Sequence, residues 1–397
     1  MQPLQIQLEN SIHAIAEDQW DRLAGCSSYD TSSAGNPFVS HRFLAALEDS
    51  GAVGGESGWH PRPMTIRSAE GGEVLAATPL YIKLHSMGEF VFDHGWAEAS
   101  ARLGLNYYPK LQVSVPFSPV PGPRLLIHPS YRGTPEGATL GRIMAEQLIT
   151  LAQDNGLSSI HVTFADEFTR QCLLAAGFLE RISFQFHWQN HGYGSFDDFL
   201  ATLSSRKRKN LRHERSHQSE SGIEFQTLSG SAIQPHHWDG FTRAYRAISE
   251  RKWGSPYLPR QFFDRITETM GEQIVLILAS AGAEIIGGAL NFRNSERLFG
   301  RNWGALDSYK FVHFETCYYR AMDYAIAAGL NTVEAGVQGE HKLQRGYLPV
   351  KTVSLHWLGD ERLRAAVADF LYRESRIIEE QRAEFNAHSP YRQATET

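Results

Sequence analysis

Apolar positions along the chain predict alternating helices and strands. Between residues 139 and 152, apolar side chains recur every three or four positions, which predicts an amphipathic helix. Two apolar runs at 273–280 and 284–292 flank a short turn containing Gly282, which predicts a β-hairpin. Near the C-terminus, residues 362–385 have the charged amphipathic pattern of a long surface helix. The chain therefore has the pattern of a mixed α/β protein.

The predicted elements occur in the same order in both halves of the chain. Each half runs helix, Gly-Leu turn, strand, short helix, Gly-aromatic turn and strand. The two copies of the final strand end with the same dipeptide, as His187-Trp188 and His356-Trp357. A repeat this long indicates two copies of one domain rather than a solenoid. We therefore predict two domains, 1–188 and 189–397, the second with a basic helix and a C-terminal helix.

Composition narrows the class of protein. The 397 residues carry a net charge of -6, with 42% hydrophobic and 21% charged residues, which is ordinary for a globular chain and argues against a general nucleic-acid binder. No apolar run reaches the ~18 residues of a membrane span, so we expect none. Three scattered cysteines give neither a disulfide framework nor a metal-binding pattern, so we expect no metal and a cytoplasmic location.

A basic segment opens the second half. Residues 204–215 contain six Lys or Arg residues and one Glu. On a helix, Arg208 and Arg212 share one face, where they are candidates to bind phosphates of tRNA, coenzyme A or a lipid head group. The alternative is a solvated face that pairs with the acidic surplus of the chain.

Four ionisable residues follow a glycine-rich strand end in the second half. Glycines at positions 336 and 339 allow a sharp turn there, and functional residues often occupy such loops. The candidate residues are Glu340, His341, Lys342 and Arg345. The alternative is a solvated run of charges on an exposed short helix.

Three further residues are candidate contacts for substrate. Arg301 and Trp303 end a predicted strand, where Arg301 either binds substrate or pairs with Glu334 on the neighbouring strand. Trp253 lies in a segment with cations, aromatics, glycine and proline that joins two predicted helices. That segment is either a binding loop or a structural turn.

Four segments, 115–124, 206–212, 313–319 and 339–349, resemble those of the FemAB-like predicted N-acyltransferases. These proteins belong to the acetyltransferase superfamily known as GNAT. The resemblance spans nearly the whole chain and is most specific at 339–349. It implies an α/β fold made by tandem duplication of an acetyltransferase-like mixed-sheet domain. It also implies transfer of an acyl or aminoacyl group to an amine.

The resemblance assigns roles to the candidate residues. It implies that Lys342 stabilises an oxyanion, that Glu340 or His341 accepts the proton of the attacking amine, and that Arg345 holds a carboxylate or phosphate. We expect Lys342 to be exposed to substrate, so that its removal would leave the melting temperature nearly unchanged. The remaining candidates, Arg301, Trp303, Arg208, Arg212 and Trp253, would contact substrate.

The resemblance also implies the co-substrate and the partners. We expect no tightly bound cofactor, an aminoacyl-tRNA or acyl-CoA donor, tRNA as a candidate partner, and a small molecule or peptide with an amine as acceptor. Segment 307–314 lacks the glycines with which acetyl-CoA-dependent relatives hold a pyrophosphate, which weakens the acyl-CoA alternative. Two rival functions stay open: a non-catalytic module that recognises a peptidoglycan-type peptide, and an acyl-CoA-dependent acetyltransferase of small amines.

Overall fold

The computed structural model describes residues 3–26, 32, 34–69, 72–336 and 339–392, with Lys252, Trp253 and Glu340 described by their backbone alone. The chain forms two compact units. The first is built mainly from Gly35–Ser183 and Lys351–Glu379, and the second mainly from Phe184–Val350. The chain crosses between them inside the strands Leu179–Gln189 and Leu348–Leu358 and inside the helix Glu361–Ala387.

The first unit contains two groups of strands and a set of packed helices. Its strands are Leu4–Leu8, Trp59–Pro61, Met64–Ser68, Val74–Thr78, Leu80–Lys83, Lys110–Val113, Leu126–Ile127 and Ser159–Val162. Its α-helices are Glu17–Ala24, His41–Asp49, His94–Arg102, Pro135–Asp154 and Glu167–Ala175. Short 3₁₀ helices occupy Ile12–Ala14, Pro37–Val39 and Pro129–Tyr131.

The helix predicted at 139–152 is confirmed and extends from Pro135 to Asp154. It begins earlier because the Thr134 side chain accepts a hydrogen bond from the Gly137 backbone N–H, which caps the helix, and because proline suits its first turn. Leu140, Met144 and Leu148 are buried in the core of the first unit. The apolar periodicity thus identified the face that packs against the strands.

The second unit has a meander of antiparallel strands followed by a parallel strand. Its strands are Ile223–Leu228, Ile274–Ala281, Glu284–Arg293, Arg297–Ala305 and Thr332–Glu334. Its α-helices are Phe196–Thr202, Ser205–Glu220, Pro235–Trp253, Arg260–Met270, Val312–Phe314 and Arg320–Ala327. Short 3₁₀ helices occupy Gly230–Ala232, Gly271–Gln273 and Glu340–Arg345. The predicted hairpin and the C-terminal helix are confirmed with ends shifted by one or two residues.

The helix that begins at Val312 contains an irregular turn. Residues Glu315–Tyr319 form a π-helical segment between the α-helical residues Val312–Phe314 and Arg320–Ala327. Such π segments interrupt the regular hydrogen-bond ladder and occur frequently at functional sites. The chain enters this helix through Phe311, whose φ of 61° is unusual for a bulky residue.

Each unit pairs strands from opposite halves of the sequence. In the first unit, Ser159–Val162 pairs antiparallel with the final strand of the second half, so that Ile160 faces Trp357 and His161 faces His356. In the second unit, Thr332–Glu334 pairs antiparallel with the final strand of the first half. There, Val333 faces Trp188 and Glu334 faces His187. The repeated His-Trp dipeptide therefore has the same register in both units, and the copies exchange their last strands.

The exchange has consequences for the domain boundaries predicted from the repeat. The predicted domains, 1–188 and 189–397, are continuous segments, whereas the compact units each contain the final strand of the other half. The independence of 1–188 and 189–397 as domains stays a prediction. It can be tested by expressing one half without the strand that it receives from the other.

Residues 1–188 expressed alone should not fold cooperatively. They would lack the strand that carries Leu355 and Trp357, which are 0% and 7% exposed in the core of the first unit. Thermal unfolding monitored by near-ultraviolet circular dichroism should show no sharp transition, and a peptide covering 351–379 should restore one. A cooperative transition for 1–188 without the peptide would contradict the exchange.

Candidate active site

The turn after the strand Thr332–Glu334 is built around glycines. Gly336 and Gly339 have φ values of 77° and 106°, which side-chain-bearing residues rarely adopt. A Cβ atom at Gly339 would lie 2.3 Å from the Cε1 atom of His341. The glycine therefore allows the His341 ring to fold back against the backbone of its own turn. The 3₁₀ helix Glu340–Arg345 follows directly. We call residues 336 and 339–346 the catalytic turn, after the role that the family resemblance predicts for it; that role stays a prediction.

Lys342 lies inside the second unit. It is 4% exposed, and its Nζ donates a hydrogen bond to the carbonyl oxygen of Gly336 over 3.0 Å. Burial lowers the pKa of Lys342 to about 7, helped by the charge of Arg301 and opposed by Cys317. The expectation of an exposed lysine is wrong, because the turn folds the side chain inward to its own backbone. At neutral pH the amine is therefore shared between its charged and neutral forms.

His341 is held by aromatic neighbours. Its Nε2 and the hydroxyl of Tyr318 are joined by a hydrogen bond of 2.8 Å. The ring centroid lies 5.6 Å from that of Phe314 and 5.7 Å from that of His313. Burial, followed by the charges of Arg345 and Lys342, lowers the pKa of His341 below its usual value. The imidazole is therefore mainly neutral at pH 7 and able to accept a proton.

Arg345 connects the catalytic turn to the basic helix Ser205–Glu220. Its Nε donates to the hydroxyl of Tyr319 over 3.0 Å, and its Nη1 donates to the backbone oxygen of His341 over 2.8 Å. Its Nη2 lies 2.8 Å from both carboxylate oxygens of Glu214, which also accepts from Tyr319. All three guanidinium nitrogens are therefore occupied within the chain. Substrate binding by Arg345 stays a prediction, and it would require exchange of these partners.

Arg301 and Trp303 lie on the strand Arg297–Ala305. The carboxylate of Glu334 forms its ion pair with Arg297, at 2.8 Å, so the pairing predicted for Arg301 is not the one observed. Burial lowers the pKa of Arg301 to about 10, and the charge of Glu334 opposes this shift without cancelling it. The ring of Trp303 lies 5.1 Å from that of His313. Contact of Arg301 or Trp303 with substrate stays a prediction.

The basic helix presents cations at its N-terminal end. Arg208 is half-buried, and its guanidinium has no ionic or hydrogen-bonding partner among the described residues. Arg212 pairs at 3.3 Å with Asp197, but both side chains are exposed, so that pair contributes little to stability. Arg208 lies in the first turn, where the helix dipole disfavours a cation, whereas Arg212 lies in the middle of the helix. Binding of an anion by Arg208 or Arg212 stays a prediction.

Two candidates fall outside the described side chains. Trp253 ends the helix Pro235–Trp253, and Glu340 begins the 3₁₀ helix of the catalytic turn, each with its backbone alone described. Their predicted roles therefore stay predictions. Within the described part of the chain, no group of three or more His, Cys, Asp or Glu residues has a metal-binding arrangement. The described helices include none that is long and apolar enough to cross a membrane.

The sequence did not identify Tyr318 and Cys317 as site residues. Both lie in the π-helical segment, where Tyr318 contacts His341 and Cys317 acts electrostatically on Lys342. They lie in segment 313–319, which carries part of the family resemblance. That resemblance was the signal in the sequence that could have pointed to them. Regular helical spacing could not place them, because the π turn changes which side chains face the catalytic turn.

A buried polar cluster in the first unit was also not predicted. The Nδ1 atoms of His161 and His356 are 2.7 Å apart. Asp93 accepts hydrogen bonds from Lys110 over 2.6 Å and from Tyr107 over 2.7 Å. Burial, with the charge of Lys110, lowers the pKa of His161 to about 3, so that this histidine is neutral. The position equivalent to His161 in the second unit is Glu334, which faces His187.

The two units, each with mixed strands and packed helices, have the tandem acetyltransferase-like fold that the sequence predicts. The chain belongs to the FemAB-like family, described as peptidoglycan biosynthesis/recognition, whose model matches residues 11–393. Membership confirms the resemblance seen in the sequence and the expected fold class.

The solved structure of FemX has the same fold. The crystal structure of FemX is 10% identical, with a TM-score of 0.52, over 89% of this chain and 98% of FemX. A tandem GNAT protein from the clavulanic acid biosynthesis pathway is 12% identical, with a TM-score of 0.47, over 90% and 100% of the two chains. L-PGS from Bacillus licheniformis is 10% identical, with a TM-score of 0.48, over 83% and 95%. The comparison with curated proteins gives no match.

The substitution Lys342→Met should make stability less dependent on pH. Folded Lys342 loses its proton near pH 7, whereas the unfolded chain holds that proton up to the ordinary value of 10.5. Between these values the unfolded state binds more protons, so the free energy of unfolding contributed by Lys342 rises with pH. Urea titrations from about pH 6 to 9 should show a shallower rise for the variant.

The control for this comparison is Lys351→Met, at a partly exposed lysine on the final strand. Its pH dependence should match that of the unchanged protein. Equal slopes for Lys342→Met and the unchanged protein would contradict the low pKa of Lys342.

The substitution Gly339→Ala should displace the His341 ring. The new methyl group would collide with that ring, whereas Gly282→Ala, at a hairpin glycine with a φ of 58°, meets no atom within 4 Å. Both variants should lose about 1 kcal/mol or more of stability through backbone strain. Only Gly339→Ala should shift the His341 resonances and pKa in an NMR titration, and equal titration curves in both variants would refute the contact.

Proposed function

We propose that the chain transfers an acyl or aminoacyl group from a phosphate-bearing donor to an amine, and that the catalytic turn performs the transfer. The observation that supports this most is the pairing, in adjacent residues, of a neutral His341 with a buried Lys342 whose pKa is about 7. One side chain can accept a proton while the other stabilises negative charge. Membership of the FemAB-like family supports the same reaction class.

In the proposed reaction, the amine nitrogen of the acceptor attacks the carbonyl carbon of the donor. The new C–N bond forms as the carbonyl oxygen gains negative charge. His341 takes one proton from the attacking nitrogen on Nδ1, while its Nε2–H donates to the oxygen of Tyr318. The carbon–oxygen bond to a tRNA ribose, or the carbon–sulfur bond to a thiol, then breaks. The departing oxygen or sulfur receives the proton from His341.

Lys342 acts in its charged form in this proposal. Its Nζ donates one hydrogen bond to the Gly336 oxygen, and an ammonium group has further donors for the developing oxyanion. The side chain is already oriented by that hydrogen bond, so little reorganisation is needed when charge develops. The low pKa has a cost, because only the protonated fraction is active.

The donor is inferred from the basic helix. The guanidinium of Arg208, which has no partner among the described residues, supports binding of a phosphate-rich molecule, as does Arg212 on the same face. Segment 307–314 carries Phe311 with a φ of 61°, and its ring packs 5.4 Å from that of His217 instead of leaving a glycine-lined cradle. This favours an aminoacyl-tRNA over an acyl-CoA. The family description favours an acceptor amine on a peptidoglycan-type peptide.

The rate should have a narrow, bell-shaped dependence on pH. Activity requires His341 neutral and Lys342 protonated, so kcat/KM should fall on the acidic side, at a pH below the ordinary histidine pKa, and fall again above about pH 7. Lys342→Met should reduce kcat/KM by about 100-fold, the scale of one oxyanion donor, and remove the alkaline limb. His341→Gln should remove the acidic limb.

These profiles are measured by single-turnover transfer from aminoacyl-tRNA and, in parallel, from acyl-CoA, to a peptide with a free amine. Full activity of Lys342→Met would contradict the proposed role. Tight binding of the peptide with no transfer from either donor would favour the recognition module. Transfer from acyl-CoA alone would favour the small-amine acetyltransferase.

A further inference from the structure

A cavity of about 420 Å³ lies in the second unit, beside the π-helical segment. The basic helix, the strand Ile223–Leu228 and the π-helical segment all contribute side chains to its wall. The volume is in the range of small-molecule sites. The described residues of the catalytic turn do not line it. We call it the Glu315 cavity.

Glu315 brings an unsatisfied carboxylate oxygen to this cavity. The residue is 2% exposed, and its Oε1 accepts hydrogen bonds from Arg215 over 3.2 Å and from Arg320 over 2.9 Å. Its Oε2 is buried and has no hydrogen-bond partner among the residues that the structure describes. A buried carboxylate oxygen that accepts nothing is costly, so a donor from a ligand would relieve it.

Gln218 brings a second unsatisfied acceptor to the same cavity. The residue is 4% exposed, and its Nε2 donates to the backbone oxygen of Lys310 over 2.6 Å. That contact fixes the orientation of the amide, because a carbonyl oxygen cannot donate. The Oε1 of Gln218 is buried and has no partner within the described part of the chain. Two residues that line one cavity therefore each have a buried acceptor that lacks a donor among the described residues.

The cavity also contains a cation with unused donors. Arg215 is held by Asp323 and Glu315. Arg320 uses its Nε for Glu315, and its guanidinium lies 5.3 Å from the ring centroid of Phe225. The terminal nitrogens of Arg320 have no hydrogen-bond partner among the described residues. They offer the paired donors that suit a carboxylate.

We propose that the Glu315 cavity binds a small zwitterion of the α-amino-acid type. Its ammonium group donates to Glu315 Oε2 and to Gln218 Oε1, and its carboxylate accepts from the terminal nitrogens of Arg320. This site is separate from the catalytic turn and adds a ligand that the proposed acyl transfer does not assign. The binding itself requires no acyl transfer.

Isothermal titration calorimetry with the full chain tests the proposal. The probes are L-alanine, L-serine and L-lysine, with ethylammonium and acetate as the two halves of the ligand. At least one amino acid should bind, and each half should bind at least about tenfold more weakly, since each lacks one set of charged hydrogen bonds. Equal binding of ethylammonium and the amino acid would overturn the role of Arg320.

Substitutions locate the site. Gln218→Met and Arg320→Met should each weaken amino-acid binding by about tenfold or more. The matched control Glu220→Gln changes an exposed carboxylate on the same helix and should leave the affinity unchanged. Because Gln218→Met keeps the size of the side chain, its melting temperature should stay close to that of the unchanged protein.

Several outcomes would overturn the site. One is that no amino acid binds at concentrations on the order of tens of millimolar. Another is an unchanged affinity in Gln218→Met. A third is a crystal structure soaked with L-serine that shows only water at the two oxygens. The variant Lys342→Met should bind amino acids normally. Loss of transfer with retained binding in that variant would separate this site from the proposed function.

Discussion

The contact between Arg345 and Glu214 holds together the candidate site of the second unit. It joins the end of the catalytic turn to the basic helix, and Tyr319 of the π-helical segment hydrogen-bonds to both partners. Arg345 is 5% exposed, so neither charge is screened well by water. Loss of either partner would leave the other charge buried and unpaired, which is strongly destabilising. Three sequence-distant elements thus have their relative positions set by one ion pair.

Burial determines the chemistry that the catalytic turn offers. The same inward fold that removes Lys342 from water lowers its pKa to about 7, and it lowers the pKa of the neighbouring His341 as well. The two side chains therefore have opposite roles in proton transfer and charge stabilisation at neutral pH. A histidine that has lost its proton is a base, whereas a lysine that keeps part of its protonation is an electrostatic donor. Glycines at 336 and 339 make this possible, since they allow the backbone to fold tightly around both side chains.

The sequence was sufficient for much of the fold because periodicity reports which face is buried. It located the helix Pro135–Asp154, the hairpin of the second unit and the repeat, and the family resemblance pointed to residues 339–349 as the candidate site. It could not reveal that Lys342 is buried. A charged residue in a sequence is expected to lie at the surface, and only the tertiary packing shows that this lysine lies inside. Nor could the sequence assign Arg345 to Glu214, since 131 residues separate them. The Glu315 cavity was equally inaccessible, because unsatisfied oxygens are a property of three-dimensional packing.

The exchanged final strands bear on how the protein is made. The first unit needs Lys351–Leu358 to complete its strands, although its other strands precede residue 184. On the ribosome, its apolar core therefore waits until nearly the entire chain has emerged. At about 5–20 residues per second, that delay lasts on the order of ten seconds or more. During that time an incomplete strand edge is exposed, which is the kind of surface that chaperones protect from aggregation.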